Sequence, residues 1–196
     1  MSTAIEPSRL NVGCGRDAKA GWVNLDSVDL SGVDVIADLE HCDTNRLPFE
    51  DDCFDEFLLS HVIEHIRNTL PLIQELHRVA KPGALAVVRC PYGSSDDAFE
   101  DPTHVRQYFL NSFGYFSQPY YWRVDYGYRG DWKVNKIELA VDRAAHEGMA
   151  AAEILDRVQS RRNVVREMAA ELEAVKPIRE PRKELQQQVN VVLTLR

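Results

Sequence analysis

Three groups of residues in this chain have types and spacings that could do chemistry. The first is Gly13-Cys14-Gly15, extended by Ala18 to the pattern G-x-G-x-x-A, with ten residues between Gly15 and Asp26. Glycines after a strand let a ligand approach the backbone, and a carboxylate at the end of the next strand can accept both hydroxyls of a ribose. The second is His61-Val62-Ile63-Glu64-His65. As H-x-x-E-H on a helix, it would hold zinc between two imidazoles one turn apart while the glutamate activates water. The third is Asp101-Pro102-Thr103-His104-Val105-Arg106. Here His104 could take a proton and Arg106 could clamp an anionic or polyhydroxylated molecule, while Asp101 and Thr103 are also helix-capping types.

Spacing narrows the ligand of the first group. A dinucleotide site sets its ribose acid roughly 20 residues beyond the glycines, with a helix between to receive the pyrophosphate. The ten residues here leave at most one helical turn, over Arg16 to Gly21. That points to a nucleoside ligand without a pyrophosphate. Asp38-Leu39, at the end of the next apolar run, could meet the edge of an adenine ring.

The elements that must position these residues read as a parallel α/β sheet over the first 90 residues. Strands are expected over 9–13, 22–26, 33–38 and 54–60. Ile63, Ile66, Leu70, Ile73, Leu76 and Val79 recur every three or four residues, the stripe of one amphipathic helix. Lys81-Pro82-Gly83 stops it, and Ala84 to Val88 follows as a buried strand. After Pro91 the texture changes: eleven of the seventeen aromatic residues fall within Tyr108 to Trp132, which suggests a lid. Tyr120, Tyr121, Trp122, Tyr126 and Tyr128 could stack on a substrate there, although aromatics more often pack. A strand is expected over 133–141. Residues 144–175 are rich in Ala, Glu, Arg and Leu and read as helical, closed by Pro177 and Pro181. Val189 to Leu195 has strand composition and returns to the sheet.

Composition excludes several classes. The 196 residues, 44% apolar, suffice for one core, and no apolar run approaches the length of a membrane span. The N-terminus shows no leader pattern, so the four cysteines are expected as reduced cytoplasmic thiols, and no C-x-x-C pair suggests a structural zinc site. The net charge of −8 argues against a surface that tracks nucleic acid. Only 143–183 is basic, with nine Lys/Arg against seven Asp/Glu.

Five segments in register then resemble a known family: Leu10-Asn11-Val12-Gly13-Cys14-Gly15, Gly21-Trp22-Val23-Asn24-Leu25-Asp26, Leu47 to Asp55, Ser60-His61-Val62-Ile63-Glu64-His65 and Arg78 to Gly83. They look like the ordered signatures of class I S-adenosylmethionine-dependent methyltransferases, closest to the small-molecule branch that includes quinone-biosynthesis and sugar-pathway enzymes. The resemblance implies S-adenosylmethionine as cofactor. It implies Gly13, Cys14 and Gly15 at the methionine moiety, with Asn11 in the position that is often acidic, where an amide offers the ammonium no full charge. Asp26 falls at the ribose, Asp38 and Leu39 at adenine, and Ser60 and His61 at the methionyl end near the transferred methyl. After Gly15 the loop continues as Arg16-Asp17 rather than with a third glycine. The likeness fades after Tyr92, where acceptor specificity would lie.

The expected architecture is a single α/β domain over 1–196, with a Rossmann-like, mostly parallel sheet, a C-terminal antiparallel strand and a helical insertion before it. Its parts would be a cofactor-binding core (1–92), an acceptor-side lid and strands (93–142), a helical insertion (143–183) and a terminal sheet strand (184–196). The expected activity is methyl transfer to a small hydroxylated metabolite, a sugar among the candidates, with His61 or His104 as base and Arg106 orienting the acceptor. Neither Asn-Pro-Pro-Tyr nor Asp-Pro-Pro-Tyr follows the fourth strand, which speaks against transfer to base amino groups. No nucleic-acid partner, membrane contact or bound metal is expected, and the sequence leaves oligomeric state open. Two other readings stand beside this one: a zinc metallohydrolase using His61, Glu64 and His65, and a non-catalytic partner or RNA-binding protein using Arg157, Arg161, Arg162 and Arg166.

Overall fold

A computed structural model describes residues 8–196. Residues 1–7, on which the reading of no leader peptide rests, lie outside the described residues. Four short apolar runs, each ended by turn residues, form Arg9–Val12 (β1), Val23–Asp26 (β2), Val35–Ile36 (β3) and Phe54–Ser60 (β4). Ala80–Pro91 (β5), Trp132–Val141 (β6), Val165–Ala174 (β7) and Val191–Leu195 (β8) complete one sheet in the order β3-β2-β1-β4-β5-β7-β6-β8. Every pairing is parallel except those of β7, which runs antiparallel to both β5 and β6. The sheet is therefore mostly parallel with antiparallel pairing in its C-terminal part, as the sequence implies.

The antiparallel member is not the terminal run, however, and the helical insertion over 143–183 does not form as one unit. Helix is confined there to a turn at Arg143–His146 and to Ala151–Ser160 (α2); the rest of the expected helix is β7, inserted in the interior of the sheet. Its residues Val-Arg-Glu-Met-Ala-Ala-Glu-Leu-Glu-Ala are strong helix formers, which is why composition favours helix. Their pattern says otherwise. Met168, Ala170, Leu172 and Ala174 are buried and alternate with Glu167, Ala169, Glu171 and Glu173, a period of two that fits a strand with one covered face. Pairing on both edges and burial of that face override propensity. The terminal strand β8 lies parallel at the sheet edge beside β6.

The same alternation runs through the other central strands. Phe57 and Leu59 of β4, and Ala84, Ala86 and Val88 of β5, face the core, whereas Leu85 is 41% exposed. β5 is thus not a strand buried on both faces. On the same outer face of the sheet the other strands carry charge pairs, Arg9–Glu56 at 3.0 Å and Lys133–Glu173 at 3.3 Å among them.

The predicted stripe forms Thr69–Val79 (α1) on the covered face, but it begins later than the pattern suggests. Pro71 is tolerated only within a first turn, because deeper in a helix its ring would strike the preceding turn's carbonyl. The chain before it therefore takes a separate single turn at Ile63–His65, with Ile63 and Ile66 still buried. Residues 93–131 run in short turns and bury Tyr108, Phe113, Phe116, Tyr121 and Tyr128 in the core, while Tyr115 and Tyr126 stay exposed. Trp132 Nε1 donates to the Ile73 carbonyl at 3.0 Å, joining β6 to α1. Asp131, fully buried, accepts from Arg179 Nε and Nη2, both at 2.8 Å, and so fastens the chain beyond β7 beneath these turns.

The interior position of β7 gives a direct check. Leu172→Ala, at 1% exposure, is expected to cost about 2–5 kcal/mol in chemical denaturation. Val192→Ala on the edge strand, at 37% exposure, should cost below about 1 kcal/mol. Equal small losses would return 165–174 to a solvent-exposed arm.

Candidate functional site

The carboxyl ends of the parallel strands bring together most of the residues singled out in the sequence. Gly13 and Gly15 both have positive φ, +62° and +52°, a backbone that side chains rarely adopt. A Cβ on Gly13 would lie 2.6 Å from Val62 Cγ2, so the loop also needs glycine to pass beneath the end of β4. The space beside Gly15 is open for 4 Å, and there the Gly15 N–H donates to Asp26 Oδ2 at 2.7 Å. Asp26 Oδ1 accepts from Val28 N–H at 3.0 Å. Each oxygen of this half-buried carboxylate keeps a further acceptor position, which is what a vicinal diol requires.

No helix stands between β1 and β2, and a buried amide network does its work. Asn11 Nδ2 donates to Asn24 Oδ1 and to the Asp17 carbonyl, both at 3.0 Å. Asn24 Oδ1 also accepts from Lys19 N–H at 2.7 Å, and Asn24 Nδ2 reaches Asp34 Oδ2 at 3.1 Å. Asn11 is therefore a brace for the glycine loop, its amide turned away from any ligand. Cys14 is buried, and burial first, then the Asp26 carboxylate, pushes its thiol up, so it is a packing group rather than a nucleophile. Asp38 is exposed after β3. His41 Nδ1 sits 2.7 Å from Asp38 Oδ2 and holds its carboxyl below the usual range, and Leu39 beside it is buried.

Ser60 ends β4, and His61 follows with φ +55° and a half-exposed ring. Its Nε2 lies 3.1 Å from Glu167 Oε2 on β7 and its Nδ1 faces Glu64 Oε1 at 3.3 Å. Glu64 foremost, and Glu167 with it, raise the imidazole pKa against the opposing effect of burial. Sequence reasoning missed Glu167, because its place beside His61 exists only once 165–174 is a strand. His61 is at a strand end, not on a helix with His65, so the inverted zinc-protease arrangement does not form.

His104 does not reach this open edge. Its side chain is 9% exposed and its ring packs edge-on against His65 with centroids 4.8 Å apart. Arg106 is exposed and donates to the Arg67 carbonyl at 3.1 Å. It lines a cleft of about 550 Å³ together with Arg67, Asn68, Tyr108, Tyr115 and Tyr126. The four arginines named for a partner surface are dispersed: Arg157 on α2 pairs with Glu153, Arg161 follows the helix end, Arg162 pairs with Asp96, and Arg166 lies on β7. Among the described residues no helix is long and apolar enough to cross a membrane.

Residues 10–88 match a family model described as "Methyltransferase domain". A demethylmenaquinone methyltransferase of Streptomyces avermitilis is 39% identical over 46 residues, a match covering 24% of this chain and 20% of that protein. Among solved structures, a SAM-dependent methyltransferase from Archaeoglobus fulgidus superposes with a TM-score of 0.58 at 15% identity, over 86% of each chain. The [4+2]-cyclase SpnF does so with 0.53 at 16% identity, over 86% of this chain and 74% of that one. Residues 10–88 are thus similar to a methyltransferase domain, and the whole sheet has the fold of an S-adenosylmethionine-dependent methyltransferase. The fold alone does not fix the chemistry, as the cyclase illustrates.

The residues present fit this cofactor: a glycine loop with open space beside Gly15, and a carboxylate with a free acceptor position on each oxygen. Asp26→Ala is expected to weaken binding of S-adenosylhomocysteine at least tenfold, about 1.4 kcal/mol, in titration calorimetry. Equal affinity in both proteins would remove Asp26 from the site.

Proposed function

We propose that this protein transfers a methyl group from S-adenosylmethionine to a hydroxyl of a small polyhydroxylated or phenolic molecule, sugars included. The observation that carries the reading is the cleft of about 550 Å³ where Arg67, Arg106 and Asn68 stand beside Tyr115 and Tyr126. Tyrosine faces stack on sugar or phenol rings, and a guanidinium binds hydroxyl or carboxylate oxygens through paired donors.

In this reading Asp26 holds the ribose hydroxyls, Asp38 and Leu39 flank the adenine, and the backbone of Gly13, Cys14 and Gly15 with Ser60 holds the methionine moiety. Bound there, the cofactor supplies a methyl activated on a sulfonium sulfur. The protein's task is then to align the acceptor oxygen with that methyl and to exclude water. His61 receives the hydroxyl proton at Nε2, which turns from Glu167 to the acceptor, while Glu64 at Nδ1 stabilises the imidazolium that results. Arg106 orients the acceptor. His104, buried against His65, is not used as the base.

The test is transfer from labelled cofactor to a panel of sugars, phenols, quinols, amines and RNA. A hydroxylated small molecule should be labelled. His61→Ala should lower turnover about 10²–10⁴-fold with cofactor affinity nearly unchanged, and Arg106→Ala should mainly raise the acceptor KM. Labelling of RNA alone, or full turnover in His61→Ala, would contradict this assignment.

A further inference from the structure

At the junction between β4 and the acceptor-side segment, Glu64, His65 and His104 each present a ligating atom, all within 4.8 Å of one another. Glu64, whose side chain is 2% exposed, meets His61 Nδ1 at 3.3 Å through Oε1 only, and its Oε2 and His104 Nδ1 are buried without a hydrogen-bond partner. A buried carboxylate short of hydrogen bonds is costly, and the contact with His61 engages Oε1 alone, leaving Oε2 without a partner. We infer that these three side chains bind a zinc-type divalent transition-metal ion. The ion would join the end of β4 to the segment 101–106.

The surrounding hydrogen bonds select ligand-competent tautomers. Thr103 Oγ1 donates its one proton to Asp101 Oδ1 at 2.6 Å, so at 3.0 Å from His65 Nδ1 it must accept from that nitrogen. His65 then carries its lone pair on Nε2. Asp101 Oδ2 faces His104 Nε2 at 3.8 Å, on the side of the ring away from the unpartnered Nδ1. Asp101 thus orients His65 through Thr103 and stands 3.8 Å behind His104, close to the outer-shell arrangement that holds metal-bound histidines. Two imidazoles and a carboxylate suit zinc with a fourth position for water, and tetrahedral bonds of ~2.0–2.1 Å bring donors to about 3.3 Å from one another. Backbone already fixes the scaffold, since Val105 and Arg106 N–H donate to the Glu64 carbonyl at 2.9 and 3.2 Å. This site is distinct from the H-x-x-E-H arrangement, because it uses His104 and leaves out His61. It also explains what Asp101-Pro102-Thr103-His104 does.

The full chain, stripped with chelator and dialysed, should bind one Zn2+ in titration calorimetry. With Co2+ it should show the intense visible absorption of a four-coordinate site, and either ion should raise the melting temperature. His104→Ala should lose the absorption and more than 100-fold in affinity. Asp101→Ala keeps all three ligands and should lose about 10–100-fold. His41→Ala, a surface histidine outside the cluster, should bind as wild type. A folded wild-type chain that takes up no ion, or stoichiometric binding that survives in a folded His104→Ala, would overturn the assignment.

Discussion

Glu64 is buried where β4 leaves the sheet, and the acceptor side of the molecule is arranged around it. Its backbone carbonyl receives the N–H groups of Val105 and Arg106, so the chain returning from β5 is bound to the carboxyl edge of the sheet. Its carboxylate faces His61 on one side and clusters with His65 and His104 on the other. A charge in that position is tolerable only when cations surround it. The half-exposed imidazole of His61 and the proposed ion would do so together.

The cofactor edge is economical by comparison. With no helix between β1 and β2, the glycine loop would be free to wander, and the side chains of Asn11 and Asn24 replace that helix with a buried amide network. Its result is a carboxylate, Asp26, already bonded to the loop it must work with. A preformed site of this kind lowers the ordering cost of binding a nucleoside.

Much of this edge was legible in the residues. Gly13, Gly15 and Asp26 sit where turn chemistry and strand endings place them, because glycine backbone and strand termini are local properties. What could not be read locally was lost. Composition hid β7, although the alternation of Met168, Ala170 and Leu172 with glutamates was present in the pattern, and with β7 went Glu167 and its bond to His61. Asn11 looked like a ligand-facing residue because its partner Asn24 lies on the next strand. His104 looked like an open base because its burial depends on the pairing of 105–106 with Glu64. The late start of α1, by contrast, was written in Pro71.

The carboxyl ends of β1 to β4 are the proposed cofactor site on which the other roles depend. Hydrogen–deuterium exchange of the full chain with and without S-adenosylhomocysteine tests it most directly. Protection is predicted in 13–15, 26–28, 38–40 and 60–62, with little change in α2 or β8. Protection absent from the glycine loop and confined to 106–126, or no protection at saturating ligand, would contradict it.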